Sequence, residues 1–277
     1  MLIYIKQCII CTRKHFSATS PSLVPLDPTY SGTLFVVATP LGNLEDMTFR
    51  AVRILQECST IACEDTRRAS QLLNHYAISG KSLISYHAHN EERAVGRIVA
   101  LLEGGNNVAL ITDAGTPAVS DPGYRLLVEL HEREIPVVPI PGPSALTTAL
   151  SVAPLPLHSF YFAGFLPHKK GRQGRLKALA SMQVPFVLYE SPHRIGRLFD
   201  ELAGLVPDAR LFVGREMTKL YEEYLTGTAL ELQEHFSDGK VRGEFVVIVV
   251  PPEGIKPVKP EAYHADHHRP ETDADHR

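Results

Sequence analysis

Between residues 32 and 250 the apolar positions repeatedly switch period. Leu34-Phe35-Val36-Val37-Ala38 is an unbroken apolar run of strand length, and beyond the loop Thr39 to Asn43 the apolar residues of Asp46 to Glu57 fall at helical spacing. The exchange repeats as strand Thr60 to Cys63, helix Arg67 to His75, strand Leu83 to Tyr86, helix Glu91 to Glu103, strand Val108 to Ile111, helix Gly123 to Glu132 and strand Val137 to Ile140. Strands joined through helices need right-handed crossovers, so this half predicts a largely parallel sheet with ligands outside the carboxyl ends of its strands.

A second series follows, with helix Ser144 to Ser151, strand Phe160 to Ala163, helix Arg175 to Ser181, strand Phe186 to Tyr189, helix Arg194 to Leu205 and strand Arg210 to Val213. After the polar stretch Arg215 to Tyr224 come helix Ala229 to Phe236 and strand Glu244 to Val250. The shorter connections predict some antiparallel pairing and a mixed sheet. The fold expected is therefore α/β, as two consecutive domains over 32–142 and 143–251, the first with a mainly parallel sheet.

Both ends differ from this pattern. Residues 1–31 hold no acid before Asp27, with Lys6, Arg13 and Lys14 as the only Lys or Arg, a composition that suits a leader or a dispensable extension and lacks an amphipathic Arg-rich face. Cys8 and Cys11 have no second pair at zinc-site spacing, and no metal is expected. Residues 252–277 are rich in Pro, His and charge, and are expected to form a disordered tail.

Composition narrows the function classes. At 277 residues and 44% apolar content the chain can bury a sizeable core, and its four cysteines are too few and too scattered for a secreted disulfide framework. A reducing, cytoplasmic location is expected. No apolar run approaches membrane-spanning length, so no membrane partner is expected. With 28 Lys and Arg against 31 Asp and Glu, a nucleic-acid partner has to be held by a local basic patch.

Three loops that follow strands carry candidate chemistry. Ala38-Thr39-Pro40-Leu41-Gly42-Asn43 is neither a P-loop nor a dinucleotide fingerprint, and Asn43 suits an N-cap. Thr112 to Gly123 packs acids, hydroxyls, prolines and glycines into a stiff turn able to hold a polar small molecule. In Pro141-Gly142-Pro143-Ser144-Ala145, Ser144 suits an N-cap, and the segment serves equally as an anion-receiving helix start or as a hinge.

These loops, together with Ala62-Cys63-Glu64-Asp65-Thr66-Arg67, Phe165-Leu166-Pro167-His168-Lys169, Tyr189-Glu190-Ser191-Pro192-His193-Arg194 and Gly214-Arg215-Glu216-Met217-Thr218-Lys219, closely resemble the tetrapyrrole-methylase superfamily. Within it, the Glu-Asp-Thr-Arg and Ser-Pro-His-Arg elements resemble the small-subunit ribosomal RNA (cytidine 2′-O)-methyltransferase I group, and the likeness spans residues 32 to 251. The resemblance implies S-adenosylmethionine as methyl donor in the cleft between the halves, a homodimer, and a ribose 2′-hydroxyl of a decoding-region cytidine in the 30S particle as acceptor. Carried over by position, it implies donor contacts at Leu41, Thr116, Val119, Ser144, Ala145 and Tyr189, with Asp113 and Gly115 beside them and Gly243 or Glu244 before the last strand. Many members have Asp where Thr116 stands. Members commonly carry a helical segment beyond the last strand, where this chain has the Pro- and His-rich stretch, so a different grip on the particle is expected.

A 2′-hydroxyl is a poor nucleophile, so a base within hydrogen-bond reach is expected. Candidates are Glu64, Asp65, Glu190, His193 and Glu216 with Lys219, although an acid beside Arg67, Arg194 or Arg215 is more often an ion-pair partner than a base. The run His168 to Lys177 holds Lys169, Lys170, Arg172, Arg175 and Lys177 without an acid, which predicts phosphate contact. Arg67, Arg194, Arg215 and Lys219 are further candidates for the RNA. A small-molecule methyltransferase acting on a tetrapyrrole-like acceptor and a catalytically silent donor-binding module are the competing readings.

Overall fold

The computed structural model describes residues 32–237 and 241–252. The readings placed on residues 1–31 and on the stretch from residue 253 onward lie outside the described residues. The first sheet contains β1 (Leu34–Val37), β2 (Thr60–Cys63), β3 (Ser82–Ser85), β4 (Val108–Leu110) and β5 (Val137–Ile140), all parallel, in the order β3-β2-β4-β1-β5. Alternation along its strands divides the core in two. Phe35, Val37, Ile61, Cys63 and Ala109 pack against α1 (Phe49–Glu57) and α2 (Thr66–His75), whereas Leu34, Ala62, Ile84, Val108 and Leu110 pack against α3 (Glu91–Glu103) and α4 (Tyr124–Glu132).

The single helix expected over Asp46 to Glu57 is broken. A 3-10 turn spans Leu44–Asp46, and α1 starts afresh because the Thr48 hydroxyl accepts the Ala51 N–H at 3.1 Å, an N-cap that fixes extended backbone before the helix. Asn43 caps that turn, as expected, accepting the Glu45 N–H at 3.0 Å.

The second sheet has β6 (Tyr161–Phe165), β7 (Phe186–Glu190), β8 (Arg210–Arg215), β9 (Glu223–Gly227) and β10 (Phe245–Val250) in the order β6-β7-β10-β8-β9, with only β6 and β7 parallel. It is covered on both faces. Phe245, Val247 and Val249 of β10 meet α6 (Arg172–Ser181), α7 (Ile195–Leu205) and α8 (Ala229–His235), while Val246 and Ile248 meet Ala149 of α5 (Ala145–Val152). Strand β9 falls within and just beyond the stretch read only as polar; it is an edge strand paired solely with β8, so alternate side chains stay in water and the hydrophobic signal is weak.

Topology assembles the site. Strands β2, β4, β1 and β5 are neighbours and parallel, so the loops after all four emerge at one edge. In the second sheet β10 runs antiparallel to β7 and β8, with Phe245 opposite both Glu190 and Arg215, so its beginning meets the ends of those strands. The two edges face each other closely: a Cβ on Gly42 would lie 2.2 Å from Lys219 Cγ, and one on Gly164 2.8 Å from the Ser120 hydroxyl. Among the described residues, no helix is long and apolar enough to cross a membrane.

Candidate active site

Between these edges lies a cavity of about 460 Å³, within the usual range for a small-molecule site. The first half contributes Leu41 after β1, Glu64 after β2, the loop Thr112 to Asp121 after β4, and Ser144 and Ala145 after β5. Tyr189 to Pro192, Glu216 to Lys219 and Glu244 to Val246 close the other wall, with Phe165 at the end of β6. All nine residues expected to contact the donor (Leu41, Asp113, Gly115, Thr116, Val119, Ser144, Ala145, Tyr189 and Glu244) line this cavity.

Backbone strain concentrates here. Ala118 and Ser120 in the loop after β4, and Glu216 and Thr218 after β8, have φ of 64°, 68°, 49° and 69°, a left-handed conformation that non-glycine residues adopt at a cost and keep where surrounding contacts enforce it. Gly115, at φ 86°, bridges to Thr39 with paired backbone hydrogen bonds of 2.8 and 3.0 Å, and a Cβ there would press within 3.3 Å of Leu41 Cδ2. Thr116 donates to the Pro143 carbonyl at 3.0 Å, tying the second loop to the third. Ser144 stands at the N-cap of α5, but its side chain makes no capping hydrogen bond, contrary to the sequence reading, and it lines the cavity instead.

The electrostatics are lopsided. Six carboxylates (Glu64, Asp113, Asp121, Glu190, Glu216 and Glu244) line the cavity with two cations, Arg68 and Lys219. Asp113 accepts the Asp65 N–H at 3.3 Å and pairs with Arg68 at 3.2 Å, stapling the loop after β2 to that after β4. Lys219 pairs with Glu216 at 2.8 Å and Glu244 at 2.9 Å; burial pushes the Glu216 carboxyl up, but hydrogen bonds from Lys219 and the Glu244 N–H outweigh it and hold it below the usual range. Burial pushes the Asp121 carboxyl up to about 6, against a lowering hydrogen bond from Thr112, with Glu64 and Asp113 adding to the rise.

Several sequence-predicted residues are placed elsewhere. Arg172 is fully buried, with Nη1 3.0 Å from Glu190 and Nε 2.8 Å from Glu201, so it cannot meet a phosphate; the first turn of α6 turns it inward while Lys169, Lys170, Arg175 and Lys177 remain exposed. Glu190 reaches the cavity wall but is held between Arg172 and Arg194, the latter at 2.6 Å, which removes it as a free base. Arg194 also donates to the Leu166 carbonyl at 3.0 Å, which makes it part of this internal brace. Asp65 caps α2 and is paired with Arg67, whose guanidinium and backbone hydrogen bonds hold its carboxyl well below the ordinary range; neither residue lines the cavity. His193 is exposed and off the cavity. Arg215 is tied to the Arg242 carbonyl and to Glu223 at 2.8 and 3.0 Å. Of the candidate RNA contacts only Lys219 lines the cavity.

Sequence reasoning missed Arg68, Thr112, Ser120, Asp121, Phe165 and Met217 as lining residues. Thr112, Ser120 and Asp121 belong to the stiff loop it had singled out, and Arg68 lies one residue beyond a quoted motif. Phe165 and Met217 carried no chemical signal, and packing alone places them: the Phe165 ring meets Tyr189 at 5.5 Å between centroids, and Met217 joins the core under α5.

The paired sheets, the cleft and the glycine-lined loop define a class that sequence comparison identifies: residues 33–233 match the family model for Tetrapyrrole (Corrin/Porphyrin) Methylases. The chain belongs to this methyltransferase family. Among its relatives, a ribosomal RNA small subunit methyltransferase I from Halalkalibacterium halodurans is 46% identical over 219 residues, 79% of this chain and 75% of the relative. The protein of the same name from Thermotoga maritima is 42% identical over 218 residues, 79% of this chain and 98% of its own. The fold is shared with uroporphyrin III C-methyl transferase from Thermus thermophilus, at TM-score 0.59, 18% identity and coverage of 80% of this chain and 98% of that one. Another solved structure of that Thermus enzyme, with S-adenyl homocysteine, aligns at TM-score 0.56 and 18% identity over 78% of this chain and 97% of that one.

Proposed function

We propose that this protein transfers a methyl group from S-adenosylmethionine to the ribose 2′-hydroxyl of a cytidine in the decoding region of small-subunit ribosomal RNA. The observation that carries the acceptor is the identity of 46% and 42%, over 79% of the chain, with relatives named ribosomal RNA small subunit methyltransferase I. The cavity supports the donor. Its six carboxylates against two cations suit a ligand with positive charges, and Leu41, Val119, Phe165 and Val246 offer apolar surface to a purine and to the carbon chains on the sulfonium. The approach of a Gly115 Cβ to Leu41 fits a site where a bulkier residue would intrude. The residues present thus fit the donor, which when bound supplies an electrophilic methyl carbon on a cationic sulfur.

The chain contributes alignment and exclusion of water. Loops braced by the Thr39–Gly115 bridge and the Thr116–Pro143 hydrogen bond hold one wall still, which favours a near-attack arrangement of carbon and acceptor oxygen. Exposed Lys169, Lys170 and Lys177, outside the acidic cavity, are the proposed phosphate contacts, separating RNA affinity from donor affinity. Assembled 30S subunits as substrate, a homodimer and a cytoplasmic location belong to the same proposal; strongly exposed Leu220 and Tyr221 supply apolar surface for self-association, and Cys58 and Cys63 are free thiols.

The test is transfer of labelled methyl from S-adenosylmethionine to small ribosomal subunits lacking their own ribose methylation, followed by nuclease mapping. Label at one 2′-O-methylcytidine is the expected result. Donor binding with no label on any subunit would overturn the RNA reading in favour of a small-molecule acceptor or a silent module.

A further inference from the structure

The geometry points to Asp121 as the catalytic residue that takes the proton from the acceptor hydroxyl, with Thr112 and Glu64 holding it ready. The inference rests on the 2′-hydroxyl reading above and names the base, which that reading leaves open. Glu190 is locked by two arginines, Glu216 and Glu244 share Lys219, and Asp113 faces Arg68. Among the described residues neither Glu64 nor Asp121 pairs with a cation, and the Thr112 hydroxyl stands closer to Asp121 than to Glu64.

Thr112 Oγ1 lies 3.0 Å from Asp121 Oδ2 and 3.3 Å from Glu64 Oε2, and the Thr39 hydroxyl donates to the Thr112 carbonyl at 3.0 Å, fixing the residue from behind. A hydroxyl carries one hydrogen and cannot satisfy two ionised carboxylates at once. The arrangement is complete only when one carboxyl of the pair holds a proton, donating it to the hydroxyl while the hydroxyl donates to the other. The hydroxyl is therefore a relay between two carboxyls built to take up a single proton. Asp121 Oδ2 is turned to Thr112, and among the described residues Oδ1 accepts no hydrogen bond.

The groups facing Asp121 come from every wall: Thr112 and Asp113 after β4, Glu64 after β2, and Tyr189 on β7 across the cleft. Glu64 and Asp113 are like charges, and Tyr189 is a phenol whose pKa is itself raised by burial and, to a smaller degree, by the Asp121 charge. Burial among like charges raises the carboxyl to about 6, close to the value that makes an ionised carboxylate an effective base at neutral pH. In the transfer, the O2′–H bond breaks with its proton passing to Asp121, the O2′–CH3 bond forms, and the methyl–sulfur bond breaks with its electron pair remaining on sulfur.

The experiment uses the full chain with unmethylated small subunits, S-adenosylmethionine as donor and S-adenosylhomocysteine as binding probe. Asp121→Asn is expected to lower kcat, measured at saturating S-adenosylmethionine so that a weaker hold on the donor does not enter, by about 10²- to 10⁴-fold, the usual span for a lost general base. In donor-free protein, carbon-13 spectra of labelled Asp are expected to show one carboxyl titrating near pH 6, absent from Asp121→Asn. Glu64→Gln removes a like charge, so it is expected to move that titration and the acid limb of kcat/KM to lower pH together. The assignment falls if Asp121→Asn keeps kcat within about tenfold of wild type, a loss far below that span. It falls equally if the titration moves in Glu64→Gln while the acid limb stays. Wild-type protein that binds the probe but labels no subunit overturns the acceptor reading itself, a failure distinct from label transfer that survives in Asp121→Asn.

Discussion

Replacing Arg172 by Met separates two incompatible uses of one basic residue. Met preserves most of the apolar stem, so the chief loss is the guanidinium. Arg172 is fully buried and contacts Glu190, also fully buried, at 3.0 Å and Glu201 at 2.8 Å. Removing one member of a buried ion pair costs about 3–5 kcal/mol, because the partner's charge stays behind in a poorly solvated place. Here Glu190 retains Arg194 at 2.6 Å and Glu201 retains Arg197 at 2.9 Å, which moves the expected loss to the lower end, about 3 kcal/mol. For a chain of this size that corresponds to a fall in Tm of about 6–12 °C. Urea unfolding with a fixed slope m measures it directly, alongside RNA binding by the same preparation. Were Arg172 a phosphate contact, the variant would unfold within about 0.5 kcal/mol of wild type, as surface changes do, and lose RNA affinity. That pair of results would refute the reasoning.

Reversing Lys169, Lys170 and Lys177 to Glu is expected to leave stability and S-adenosylhomocysteine binding intact while weakening RNA binding and flattening its salt dependence by about 0.7–0.9 log units for each phosphate left unneutralised; an equal fall in donor affinity would count against it. Asp121 binds its proton more tightly in the folded chain, at about 6 against an ordinary 3.8. The stabilisation this gives is complete below the lower value and lost as pH rises through the higher, so Asp121→Asn gains stability over wild type between about pH 4 and pH 6 and keeps a constant margin above. Paired unfolding curves at pH 4, 5, 6 and 8 check this, and a gap independent of pH would be the contrary result. Gly115→Ala meets both a left-handed φ of 86° and Leu41 Cδ2 at 3.3 Å, so a loss of about 1–2 kcal/mol is expected together with weaker donor binding, both measurable by calorimetry. Unchanged stability and affinity would show the loop to be more yielding than drawn.

The order of elements was legible because apolar period is a local property. The strand Val137–Ile140 and the helix Glu91–Glu103 coincide with the spans predicted, and the Thr48 cap accounts for the break in the helix expected from Asp46. The cavity-lining loops were legible for a related reason: stiff, glycine- and proline-bearing turns after strands announce themselves, and parallel topology brings their ends to one edge. Residue chemistry alone did not reveal which charges were free. Lys169 and Arg172 look alike in the sequence, yet Lys169 stays exposed just before α6 while Arg172, the first residue of that helix, is buried against Glu190 and Glu201, eighteen and twenty-nine residues farther along the chain.

The sequence by itself determined the alternation of strands and helices, the two-part α/β plan, the family and the loops that form the cavity. Tertiary structure decided protonation and pairing. Glu64, Asp121 and Glu190 are all acids at strand ends or in the loops that follow strands, but folding gives Glu190 two arginines and leaves Asp121 against a hydroxyl shared with Glu64. The reason is physical: period and turn preference act over a few residues, whereas desolvation and Coulomb interaction depend on distances between segments far apart in the chain.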